Sequence, residues 1–166
     1  MRKLSVVLGF LLISYLGFGF YLNLTPEQRK DLANDWLEAA KAFDMVGKSK
    51  KAIVSYKHTF NLYPFGEAAQ EAQKILKEKY DIKVSYTKES FEKYNLKLAS
   101  KYEKENYKYA VNAYLMAYDV SGNPEYLYKA SLVLYNNGMK NKAKELANEA
   151  ISKGVDSTKV DPNILK

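Results

Sequence analysis

Between Trp36 and Pro64 the side chains fall in an order that leaves the chain few ways to fold. Trp36, Ala40 and Phe43 stand at i, i+4 and i+7, which places them on one stripe of a helix. Ala52, Tyr56, Thr59 and Phe60 form a matching stripe, with Gly47 between the two. Gly47 tolerates the left-handed backbone that stops a helix, and Pro64 cannot continue one. The small side chains of Ala40 and Ala52 let two backbones approach, while Trp36 and Phe43 fill the volume beside them. The spacing predicts a helical hairpin.

A tetratricopeptide repeat is a pair of helices in about 34 residues with the pattern W-x2-L-G-x2-Y…A-x3-F…P. The stretch resembles that repeat: Trp36, Ala40, Phe43, Ala52, Tyr56 and Pro64 are in register, Ala replacing both the Leu and the Gly, and Tyr the Phe. The run NLYPFGEAAQEAQKIL also resembles the junction between repeats in bacterial tetratricopeptide proteins of the envelope-assembly lipoprotein type. The resemblance implies an all-α solenoid of helical hairpins whose first helices line a concave surface. Here that surface would include Asn34, Leu37, Lys41, Leu96, Ser100, Tyr128, Leu132 and Tyr135, a mixed apolar and aromatic groove suited to a helix or extended segment of another protein. Some members of the family clamp a C-terminal carboxylate with a Lys/Asn pattern. Leu37 and Tyr128 occupy positions which that pattern would need, so a receptor for chaperone tails is disfavoured.

The remaining chain divides by the same signs. The first repeat covers about 33–66. An extra helix over 67–80 carries Ala68, Ala69, Ala72, Ile75 and Leu76 on one face. From 81 to 90 the helical period lapses, and Ile82, Val84 and Tyr86 alternate as in an extended spacer. A second hairpin is expected over about 91–122, its turn marked by Asn106 where the first hairpin has Gly47. A third over 123–154 opens on Asn123-Pro124-Glu125 and turns at Gly138. Past Gly154 the chain is polar until Ile164 and Leu165. No capping element is evident there, which leaves an apolar strip around Leu146 and Ile151 for the tail, a second copy or a partner.

Ahead of the hairpins, Arg2 and Lys3 lead into an apolar run from Leu4 to Leu24. At 1.5 Å per residue it reaches about 30 Å as a helix, enough to span a bilayer. A cleaved signal peptide has a shorter apolar region and an A-x-A-like site, for which Gly17 and Gly19 are poor substitutes. The run reads as an uncleaved, single-pass transmembrane anchor over 1–24 in the cytoplasmic (inner) membrane. Its basic N-terminus favours a repeat domain on the extracytoplasmic side. Thr25-Pro26-Glu27-Gln28 then starts a helix through a capping box, with no linker between anchor and domain.

The formal charge is +7; less Arg2 and Lys3, the part from Thr25 onward carries +5. Lysines cluster at Lys48, Lys50 and Lys51 and at Lys140, Lys142 and Lys144, but elsewhere they alternate with acids. A nucleic-acid footprint needs a one-sided stripe, and none is read here. There is no Cys, and His58, the one histidine, falls on a helical position facing away from the hairpin seam. Glu103 and Glu105 point to different helical faces. No catalytic residue, metal site or cofactor is expected. Tyrosine is abundant, 15 in all, mostly between Tyr80 and Tyr135. That richness suits a binding surface or reflects a coding bias, and the sequence leaves both open.

The expectation is a non-enzymatic, membrane-anchored scaffold or adaptor that mediates protein–protein interactions in a bacterial cell-envelope complex; a homo-oligomer is compatible with it. The alternative is a secreted or periplasmic repeat protein that binds peptide or polysaccharide after signal cleavage.

Overall fold

The structure, a computed structural model, describes residues 23–166. Nearly all of the apolar run, and with it the expected transmembrane anchor, lies outside the described residues. Among the described residues no helix is long and apolar enough to cross a membrane.

The described chain is all-helical. Its elements are α1 (Pro26–Met45), α2 (Ser49–Leu62), α3 (Glu67–Tyr80), α4 (Lys88–Tyr102), α5 (Tyr107–Ser121), α6 (Glu125–Asn136), α7 (Lys140–Ser152), a 3-10 turn (Ser157–Lys159) and a short α8 (Pro162–Leu165). Local chemistry sets most of these bounds. Thr25 and Gln28 close the capping box, the Gln28 amide donating to Thr25 Oγ1 at 3.3 Å and the Thr25 amide to Gln28 Oε1 at 2.9 Å. Gly47, at φ +70°, ends the first turn of chain direction in the left-handed region, where a side chain would be strained.

Helices α1 and α2 form one antiparallel hairpin, α4 and α5 a second, and α6 and α7 a third, while α3 lies on α2 and α1. Along the first seam Ala40 and Ala52 are fully buried, with Trp36 and Tyr56 in the same core. Phe43 is half-buried against the same core, beneath Lys51. The aromatic wedges thus sit where close contact of the two backbones leaves room for them. The C-terminal core repeats the design with Ala99, Ala110, Ala130, Ala143, Ala147 and Ala150, all without exposed surface.

Three local features depart from the sequence reading. Helix α4 opens at Lys88 through a Thr87–Ser90 capping box, so the last residues of the expected 81–90 spacer form its first turn. Asn106 does not take the left-handed place of Gly47. It is extended at φ −154° and caps α5 by accepting from the Tyr109 amide. The tail past Gly154 folds back over α7 and α6, burying Val155, Val160 and Ile164 against the alanines of α7. A capping element is therefore present. Its apolar residues are dispersed among polar ones and carry no helical period, so spacing did not reveal it.

Helices α1–α3 and α4–α8 build separate cores that meet at one junction. Tyr63 and Phe65, from the link between α2 and α3, pack on Phe91, Met116 and Val120. Phe60 stacks on Tyr86 and Tyr86 leans on Phe91, with ring centroids 5.6 and 5.7 Å apart. Asp119 of α5 pairs with Lys30 of α1 at 3.1 Å and accepts a hydrogen bond from the Tyr63 hydroxyl. Contact between the units runs chiefly from α1 to α5.

Candidate functional site

The eight residues expected to line one groove are divided by this junction. Leu37 is buried in the N-terminal core, 5% exposed, and Asn34 is exposed beside it. Lys41 is bound to Glu38 at 3.2 Å and to Glu71 of α3 at 2.8 Å. Leu96, Tyr128, Leu132 and Tyr135 are half-buried against the other core, and Ser100 is exposed. Tyr128 belongs to the tail: its hydroxyl donates to the Lys159 carbonyl at 3.3 Å and accepts from the Asp161 amide at 3.1 Å. Helix α1 meets the second unit chiefly at α5, the second helix of the next hairpin, and not at its first helix α4.

Many of the tyrosines have a structural task. Tyr56 and Tyr80 both donate to Asp44, which also takes Lys79 Nζ at 2.9 Å. Tyr63 donates to Asp119, Tyr114 to Glu103, and Tyr126 to Glu92 at 2.6 Å. In each case the ring packs between helices while its hydroxyl ends on a carboxylate, often on a neighbouring helix. Burial, and then the Asp44 charge, push the Tyr56 hydroxyl far up; burial and Glu103 push that of Tyr114 up to about 12. These hydroxyls stay protonated donors throughout the physiological range. Burial works to raise the Asp44 carboxyl, but the hydrogen bonds from Tyr80, Lys79 and Tyr56 outweigh it and hold that group below the usual carboxylate range.

Two polar side chains of the N-terminal unit are shielded from water, His58 partly and Arg29 almost fully. The ring of His58 lies 4.7 Å from that of Trp36, and burial lowers its pKa, which keeps it neutral at pH 7. Arg29 is 5% exposed and donates through Nε to the Leu24 carbonyl at 3.3 Å. Burial brings its pKa down to about 10, so it remains charged.

An open groove lies elsewhere, along the second helices of the two C-terminal hairpins. It has a volume of about 630 Å³. Val111 and Leu115 of α5, Leu134 of α6, Met139 at the N-cap of α7 and Leu146 of α7 are its apolar lining. Lys108, Lys142, Glu145 and Glu149 line it as well, as do Asn23 and Thr25. Asn23 Nδ2 reaches the Tyr109 hydroxyl at 3.5 Å, which ties the start of the described chain to α5. None of the eight expected groove residues lines it. The one sequence sign of it was the apolar strip at Leu146, left over once the seam of the third hairpin was filled. The groove thus combines apolar side chains with charged ones of both signs. Comparison with protein-family models, with curated proteins and with solved structures finds no match.

Proposed function

We propose that this chain is a non-catalytic scaffold of tetratricopeptide-like hairpins, tethered by its apolar leader in a bacterial cytoplasmic membrane. The hairpins lie on the extracytoplasmic side and hold an amphipathic segment of another envelope protein. The observation that carries this reading is the α5–α7 groove, lined by apolar side chains, by charged ones of both signs and by Asn23. Since the leader joins the domain at that point, a segment in the groove would lie close to the bilayer. The small-residue seams make the frame rigid, and a preformed groove binds without a large ordering cost.

A photocrosslinking residue at Leu115, in the full chain and in native membranes, tests the reading. It should form an adduct with a protein partner that Leu146→Asp abolishes, while Leu132→Asp, outside the groove, leaves the adduct in place. Each variant is checked by its melting curve. An unchanged adduct in folded Leu146→Asp overturns the assignment of the groove.

A further inference from the structure

Helix α2 differs from every other described helix longer than one turn in carrying no carboxylate. From residue 48 to 63 its charged and titratable side chains are Lys48, Lys50, Lys51, Lys57, His58 and two tyrosines. The four lysines are exposed or sit at the exposed turn, and among the described residues none pairs with an acid. Asp44, the nearest acid along the chain, is held by Tyr56, Tyr80 and Lys79. The first turn of α2 has no acidic residue, and Lys48 provides no side-chain cap. Positive charge at this end opposes the helix dipole, an arrangement that water tolerates at a cost and an anionic surface would relieve.

The same place is also the most apolar part of the surface. Met45, Val46 and Val54 are 82%, 65% and 52% exposed, more than any other large apolar side chain of the described residues. Met45 and Val46 form the tip of the α1–α2 turn, and Val54 lies between Lys50 and Lys57 on the outer face of α2. The exposed face of α1 carries Glu27, Asp31, Asp35 and Glu38. The two helices of one hairpin therefore present opposite charge.

Apolar side chains at a tip, ringed by lysines without acids, match the chemistry of a bilayer with anionic headgroups. We propose that the α1–α2 turn and the outer face of α2 rest on an anionic lipid surface. Met45 and Val46 enter the headgroup boundary, and Lys48, Lys50, Lys51 and Lys57 lie against the phosphates. This deepens the anchored reading and rests on it, because the leader brings the domain to the bilayer. With 20 residues, α1 spans about 30 Å, so the leader and the tip are two separate points of attachment. Two points restrict how the domain rotates, and with it the direction in which the α5–α7 groove opens.

The chain has no Cys, so Val46→Cys can be given a single dye, and Lys153→Cys in the C-terminal unit serves as the comparison. The full chain is reconstituted into vesicles of phosphatidylcholine, alone or mixed with phosphatidylglycerol, containing spin-labelled lipid. The dye at position 46 should be quenched in the anionic vesicles, weakly in the neutral ones, and the dye at 153 in neither. Replacing Lys48, Lys50 and Lys51 by Ala should lower the ratio of docked to undocked chain roughly fivefold per lysine, and raised salt should act in the same direction. If the protein floats with the vesicles but the dye at 46 is no more quenched than at 153, the docking is overturned and the tether stands. Equal quenching in neutral and anionic vesicles also overturns it. A full chain that does not float with either kind of vesicle overturns both docking and tether.

Discussion

Asp44 stands at the last turn of α1 and holds three helices together, since it receives Tyr56 of α2 and both Tyr80 and Lys79 of α3. Its side chain is 11% exposed, so the tyrosine hydroxyls it accepts lose a partner that water replaces poorly. Asp44→Ala should cost about 2–3 kcal/mol at neutral pH, measured by urea unfolding. The sign of the pH dependence follows from the direction of the shift. The folded carboxyl lies below its ordinary value of 3.8, so its contribution is present above that value and is lost as pH falls through the lower, folded one. Stability should therefore decline with acid below about pH 4, and Asp44→Asn should flatten that part of the profile; an unchanged slope would remove Asp44 from the account. The number of tyrosines was readable in the sequence, but their carboxylate partners were not, because Tyr80 and Asp44 are 36 positions apart.

At the scale of elements, the tail is the sharpest case. The last hairpin would leave the outer side of α7 uncovered, as any repeat array does at its end. Here Val155, Val160 and Ile164 close it, at 4%, 4% and 2% exposure, and Tyr128 fastens the crossing segment at Lys159 and Asp161. Truncation after Gly154 should cost about 4 kcal/mol from the lost burial of three aliphatic side chains. Differential scanning calorimetry checks it, and a melting temperature within a degree or so of the full chain would show the tail to be dispensable. The α1 start could be read from sequence because Thr25, Pro26 and Gln28 act within one turn. The α4 start is equally local but less legible, because Ser90 stands where a capping box usually has Glu or Gln, and it closes the box with Thr87.

For the whole molecule the decisive contact is the junction of the two cores. Asp119 joins α5 to Lys30 of α1 and to Tyr63 beyond α2, and the rings of Phe60, Tyr86, Phe91 and Phe65 fill the space behind it. Asp119→Ala should cost about 1–3 kcal/mol and loosen the two units from each other before either unfolds. Hydrogen exchange would report this as faster exchange in the C-terminal turns of α5 and the first turns of α1, with α6 and α7 unaffected. Uniform acceleration through all helices would instead mean that the chain behaves as one cooperative unit.

From the sequence alone came the helices, their pairing into hairpins and the small residues of the seams, since each of these follows from spacing within a few turns of chain. The tertiary structure decided how the hairpins are set against one another, where the tail lies and which face is left open as a groove. Those choices rest on contacts such as Lys30 with Asp119, 89 positions apart, and Tyr63 with Asp119, 56 apart. Such contacts join partly buried groups brought together by the packing of distant elements, and no local period encodes them.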